Sequence, residues 1–464
     1  MILGAIRTHA KMCPMPITLT NAILLQIDPL EVSHGAVRIV SERIEAAGPD
    51  VEPAPGDETL DCHGAVVLPG LVNGHTHLYS ALAPGMPPPP RAPRNFHEIL
   101  QLIWWRLDRA LDAESIETSA RIGALDALRC GTTTLIDHHA SPKAIGVSLD
   151  HVERGVADAG LRAVLCYETT DRHGPAGAEA GLAENGRYID KCKDRTDHRF
   201  AALVGAHAAF TLSDAFLKAC VELADKHGTG VHIHLAEDLC DDAICREEYG
   251  APLVRRLENC GLLPSSASDG ARRSGSVTTA SILAHGTHLS PPDARRISSQ
   301  VAALAHNPRS NMNNRVGHAP LSDMQRVMLG TDGIGGDMFN EARAAWFKAR
   351  DAGSPIHPAR IIEMFAQSAR VAGAALGCTL GRLAPGAAAD IVITDYVPAT
   401  PLRSDNAAAH FLFALGPQHV RDVLIAGQWA YKDRGPTRLD AIGARRKAAP
   451  VADRLWSRMQ ALAP

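Results

Sequence analysis

Between residues 68 and 382 the chain alternates short apolar runs with helical periods, and this alternation constrains the fold more than any other feature. The strand-like runs are "VVLPGLVNGHTH", "TTTLIDHH", "RAVLCYETT", "FAALVGAH", "GVHIHLAED", "SILAHG", "VAALAHN" and "RVMLGTDG". Between them lie periods such as "SIETSARIGALDALRC", where Ile122, Leu125 and Leu128 fall at helical spacing. Eight strands alternating with helices argue for an α/β fold of the (β/α)8 TIM-like barrel type, with a doubly wound sheet as runner-up. The runs end in His75/His77, Asp137/His138/His139, Glu168, His207, His234/Glu237, His285, His306 and Asp332. In a barrel those ends face one mouth, where active sites sit. A doubly wound sheet gives no reason for an ionisable group at every end.

The flanks look different. Residues 1–67 carry "ITLTNAILLQI", "AVRIVSERIEAA" and "TLDCHGAVVLP", and residues 383–464 carry "AADIVITDY" and "VRDVLIAGQWAY". These short strands, separated by turn residues, are expected to form one small β-sandwich from both chain ends, with the 68–382 barrel inserted between them. Residues 1–15 are expected to be a disordered extension, or to precede a true start at Met15. "APGMPPPPRAPRN" (83–95) is placed as a rim or lid. "LPSSASDGARRSGSVTTA" (263–280) reads as a mobile loop.

Composition narrows the partners. The net charge is −4 with 21% charged residues, which leaves no basic footprint for nucleic acid. No apolar run approaches the roughly 20 residues of a membrane span, and the first residues lack a signal-peptide core. A cytoplasmic protein with a small-molecule partner is expected. The 10 cysteines include no CxxC pair and read as small buried hydrophobes.

Side chains i and i+2 of a strand share a face, so His75 and His77 can reach one cation. His232 and His234 repeat the spacing on another strand. Asp332, in "LGTDG", could be a ligand or a plain Asp-Gly turn. Three imidazoles and a carboxylate suit zinc or ferrous iron, with water completing the shell. Glu237 follows His234 by three and can lean over the same water as a proton shuttle; alternatively it is an acid opening the next helix.

The motifs "GLVNGHTHLYS", "GVHIHLAED", "SILAHG" and "LGTDG" resemble those of the amidohydrolase superfamily. "WWRLDRALD", "DHHASP", "ETTDR", "HNPRSNMNN" and "GTDGIGGDMF" make the chain most similar to its SsnA-like aminohydrolases, kin of guanine deaminase and the chlorohydrolases. The resemblance implies a metal-dependent barrel plus a small β-sandwich. It implies one divalent metal per chain, zinc before iron, held by His75, His77, His234 and Asp332. His232, deeper along its strand, is left as a barrel-interior residue. Binuclear relatives carry a lysine at the fourth strand, and here that strand ends in "VGAH". The resemblance also implies a catalytic role for His285, which hydrogen-bonds the attacking water or polarises the bond under attack, and a second role for Asp332 as proton acceptor. His207 resembles a substrate-contacting histidine, although Ala209 stands where relatives usually show proline. His306 and Asn307, with Ser310 and Asn311, are expected at the substrate pocket, with helix capping an equal account of the Ser and Asn residues. A homodimer is an expectation from kinship.

Two further groups are set aside: Asp137, His138 and His139, which suggest a second metal but are read as supporting the site or as packing, and a tryptophan pair. His138 and His139 face opposite ways on a strand, so at most one joins the site. Trp104 and Trp105, adjacent on a helix, do not share a face and are assigned to the core or a subunit contact. The expected activity is hydrolytic deamination of a small nitrogen heterocycle, purine- or pterin-like, by metal-bound hydroxide with Glu237 as proton shuttle. Cyclic amide hydrolysis, triazine dechlorination and a non-catalytic binding relative are the alternatives.

Overall fold

The computed structural model describes residues 15–263, 280–298 and 302–462. The expectations for residues 1–14 and for the loop 264–279 lie outside the described residues.

Strands β1 (Ile17–Ile27), β2 (Leu30–Val40), β3 (Arg43–Gly48), β4 (Glu58–Asp61) and β5 (Val66–Pro69) come from the first flank. After them the chain turns to parallel pairing. Strands β6 (Leu71–Thr76), β7 (Thr132–His139), β8 (Arg162–Tyr167) and β9 (Phe200–Ala202) form one parallel sheet. Strands β10 (Val204–Ala208), β11 (Val231–Leu235), β12 (Ile282–His285), β13 (Ala303–His306) and β14 (Val327–Leu329) form a second. Strands β15 (Ile391–Thr394), β16 (Val420–Ile425), β17 (Gln428–Lys432) and β18 (Gly435–Pro436) return to β1–β5 and complete a mainly antiparallel nine-stranded sheet. Both flanks thus share one sheet, joined where β15 pairs with β5.

The two parallel sheets meet at two seams. At one, Thr169 bridges Ala206 in parallel register and His207 N–H donates to the Thr169 carbonyl at 2.9 Å. Gly205 makes this approach possible, because a Cβ there would lie 2.1 Å from the Tyr167 carbonyl oxygen. At the other, Thr76 bridges Asp332, and Asp332 N–H donates to the His75 carbonyl at 3.0 Å. Gly330 plays the same part there, with His75 Cβ and Asn307 Oδ1 in the place of any side chain.

Every residue of β6–β8 and β10–β14 is buried, the signature of parallel strands covered on both faces. Helices between them carry the expected punctuation. Asp112 caps the helix Ala113–Leu128 by accepting Ser115 N–H at 2.9 Å. Gly228, in the left-handed region, ends Asp214–His227. Residues of both parallel sheets pack one apolar cluster: Val72, Ile136, Val164, Ile282, Ala303 and Met328 among others. Below it Arg162 forms a two-pronged ion pair with Asp390, Nε–Oδ2 2.8 Å and Nη2–Oδ1 3.0 Å, and ties the parallel part to the flank sheet.

The nine described cysteines are free, six of them buried. No described helix is long and apolar enough to cross a membrane.

Candidate metal centre and active site

The C-terminal strand ends bring the ionisable groups together. One ligand atom from each of His75, His77, His234 and Asp332 falls within 4.8 Å of the others, a group that could hold a metal ion. Asp332 Oδ1 lies 3.1 Å from His77 Nε2 and 3.6 Å from His75 Nε2.

The hydrogen bonds show that this set fits a cation. His77 Nδ1 donates to the His138 carbonyl at 2.6 Å, and His234 Nδ1 donates to the His207 carbonyl at 2.7 Å. A neutral imidazole protonated at Nδ1 is bare at Nε2. The Nε2 atoms of His77 and His234 nevertheless face each other at 3.1 Å. Burial opposes a charge on His77, but Asp332 raises its pKa to about 9, so this gap calls for one positive charge, either a proton on His77 Nε2 or a cation held between the rings. His75 Nε2 is buried without any hydrogen-bond partner, which costs free energy in a protein interior. Burial lowers the pKa of His75 to about 3, so it offers a lone pair rather than a charge.

Asp332, at the second seam, has φ 53°, and its carboxylate also accepts from the Ser310 hydroxyl. Burial opposes its ionisation, but the imidazoles of His75 and His77 beside it, with positive charge favoured at His77, hold its pKa well below the usual range. Two neighbours use the same left-handed backbone: His285 (φ 76°) and Ala236 (φ 48°), which precedes Glu237. The ends of β11, β12 and β14 therefore turn sharply in a region that L-residues avoid, and each turn aims a side chain at one point.

Glu237 lies where a proton carrier is needed. Its Oε2 is 3.5 Å from His285 Nε2, and Asn314 Nδ2 donates to its Oε1 at 3.4 Å. Burial, reinforced by the Asp332 and Asp241 carboxylates, pushes its pKa well above the ordinary value. The Glu237 backbone N–H donates to Asp241 Oδ2 at 3.0 Å, which fixes the turn. His285 Nδ1 donates to Asn311 Oδ1 at 2.8 Å, so its Nε2 is bare toward Glu237 and, at 4.0 Å, toward Asp332 Oδ2.

The pocket above this cluster is lined by His77, His234, Glu237 and Asp332 on one side and by His207, Glu168, Tyr79, Phe96, Phe210, Trp104 and Trp105 on the others. His207 lines this pocket. His306 and Asn307 do not. On β13, Ala303 and Ala305 face the apolar cluster shared by the sheets, so the period of two turns His306 outward. There it packs beside His318, with ring centroids 5.5 Å apart. Asn307 sits behind His285, its Nδ2 3.5 Å from His285 Nδ1. Of the neighbouring polar residues, Ser310 reaches the pocket and Asn311 supports His285.

Trp104 and Trp105 pack against the core and also line the pocket. The helix carries one π-helical turn at Leu100–Trp104, which re-aims side chains where a regular helix would not. Trp105 is further held by Arg172, whose guanidinium lies 4.4 Å from the ring centroid. Arg172 also pairs with Asp108 (3.1 Å) and Glu168 (3.2 Å). Glu168 is therefore charged, its pKa held well below the usual range against burial by His207, His138 and Arg172. Of the adjacent histidines, His138 faces the cluster, 4.8 Å from the His234 ring centroid. His139 points away to Ser141 at 3.0 Å. The pair splits as the strand period requires.

Comparison with known proteins agrees with this geometry. The chain is 29% identical over 463 residues to the 5-methylthioadenosine/S-adenosylhomocysteine deaminase of Desulforudis audaxviator, covering 95% of this chain and 99% of that one. It is 28% identical over 462 residues to the 5'-deoxyadenosine deaminase of Methanosarcina mazei, covering 96% and 99%. Among solved structures, the zinc-bound adenosine deaminase of Xanthomonas campestris has TM-score 0.79 at 22% identity, covering 97% of this chain and 99% of that chain. The zinc complex of the atrazine chlorohydrolase TrzN from Arthrobacter aurescens TC1 has TM-score 0.77 at 20% identity, covering 94% and 100%. A profile described as the amidohydrolase family matches residues 66–430, which is most of the sequence, and the chain belongs to the amidohydrolase family.

Proposed function

We propose that the protein is a hydrolytic deaminase of an amino-substituted nitrogen heterocycle, purine-like in size, acting with one zinc ion per chain. The observation that carries this reading is Glu237 beside His285, next to a three-histidine, one-aspartate cluster in which His75 Nε2 is buried without a partner. The deaminases among the relatives support it. Hydrogen bonds across both seams support reading the two parallel sheets as one closed eight-stranded barrel, with this cluster at its mouth.

His75, His77, His234 and Asp332 would hold the ion. A divalent cation there supplies Lewis acidity and brings the pKa of water toward neutrality. The chain's own residues do the rest. The tryptophans, Phe96 and Phe210 offer flat apolar walls for an aromatic ring. His207 and Glu168 offer polar contacts at its edge. Asp332 and Glu237 take protons from the attacking water, and the high pKa of Glu237 suits it to hand one to a ring nitrogen. As the C–O bond forms and the C–N bond breaks, the second water proton leaves with ammonia. His285 Nε2, bare and within reach of both carboxylates, orients the water.

The test is to measure metal content of the purified protein and screen purines, pterins, 5'-deoxyadenosine and 5-methylthioadenosine for ammonia release. About one zinc per chain, lost in His234→Ala, is expected. A folded wild-type protein that takes up no divalent metal would sink the reading.

A further inference from the structure

His75 differs from the other two clustered histidines in what holds it. His77 and His234 donate directly to backbone carbonyls of neighbouring strands. His75 Nδ1 meets a side chain instead, His232 Nε2, at 2.9 Å. His232 is fully buried. Its Nδ1 lies 3.7 Å from Cys166 Sγ, and Cys166 Sγ lies 3.5 Å from the Asp137 carbonyl oxygen.

That carbonyl sets the direction of the whole chain, because a carbonyl oxygen only accepts. Cys166 donates its S–H to Asp137, which leaves the sulfur lone pairs to accept from His232 Nδ1–H. An imidazole protonated at Nδ1 is bare at Nε2, so His232 Nε2 accepts from His75 Nδ1–H. His75 Nε2 is then bare in turn, and it is the atom that lies buried without a partner beside Asp332. The opposite polarity would place a proton on His75 Nε2, pointing at the position the cation must take.

We infer that Cys166 and His232 form a positioning relay that locks His75 in its metal-accepting tautomer, extending to the deepest histidine the control that His77 and His234 receive from carbonyls directly. The inference rests on the reading that these histidines and Asp332 hold a divalent cation. It makes His232, which the His-x-His spacing alone leaves as a possible ligand or plain interior residue, a positioning residue for metal uptake. Removing such an outer partner typically weakens metal binding about 10–100-fold.

The experiment measures zinc affinity by competition with a chromophoric chelator for wild type, His232→Leu and His232→Gln. Glutamine can set a carbonyl oxygen near the position of Nε2 and accept from His75; leucine cannot. The expected result is a loss of about 10–100-fold in His232→Leu, with His232→Gln close to wild type. Equal affinities in the two variants, whether both unchanged or both weakened, would overturn the relay. If His232→Leu fails to fold, nitrogen chemical shifts of the histidines in metal-free wild type decide. His75 and His232 should both be Nδ1–H tautomers, and a His75 protonated at Nε2 refutes the proposal. A wild type that binds no zinc refutes the metal reading instead, and the tautomer measurement still judges the relay.

Discussion

The parallel strands end in opposite chemistry at their two ends. Below the site, Val72, Ile136, Val164, Ile282, Ala303 and Met328 of β6–β8 and β12–β14 pack one apolar cluster. A few residues further along the same strands, buried imidazoles and carboxylates crowd together, and His75 Nε2 and His285 Nε2 have no hydrogen-bond partner. Burial is nearly complete at both ends. The difference is that the lower end is apolar and packs on itself, whereas the upper end holds ring nitrogens that the chain leaves unpaired. Stability is therefore expected to reside below and chemistry above, with little exchange between them.

Substitutions can break that division, beginning with the largest effect. Glu237→Gln keeps the shape of the upper end and removes the proton carrier. It should lower kcat by about 10²–10⁴-fold in an ammonia-release assay while zinc content stays at the wild-type level. Arg162→Leu removes one partner of the buried pair with Asp390 at the lower end. Leaving that carboxylate unpaired should cost about 3–5 kcal/mol in urea unfolding, with zinc affinity unchanged. Met328→Ala opens a cavity in the apolar cluster and should cost about 2–5 kcal/mol, again by denaturation and again without a change in KM. Ile136→Val, the mildest, should cost about 0.5–1.5 kcal/mol. If either cavity variant altered zinc affinity as much as stability, the two ends would be coupled and the division would fail.

What could be read in the sequence followed the same division. The period of a strand is short and rigid, so His75 and His77 declare a shared face from spacing alone, whereas the choice of His234 over His232 and of Asp332 over a plain turn needed the resemblance, and Glu237 and Asp332 fall at the ends of their runs. The same period explains the split of His138 from His139 and turns His306 away from the pocket, a consequence that His306 being last in its run concealed. The pairing of Arg162 with Asp390 joins residues 228 positions apart and leaves no local trace. The place of Trp104 and Trp105 at the pocket as well as against the core could not be read, because a π-helical turn has no spacing signature of its own. Arg172 and Asp108 gather around Trp105 and Glu168 from separate elements, and only the folded chain shows that they meet.

The left-handed turns at Ala236, His285 and Asp332 bear on how the protein can be altered. Each departs from the backbone that its residue type prefers, at an energy that the surrounding structure must cover. Selection for heat resistance alone tends to relax such places first. Hardened variants that changed these turns would retain every reactive group and still lose turnover, because the groups would no longer converge. Libraries for thermal improvement should therefore leave the upper strand ends fixed and draw their diversity from the apolar lower end.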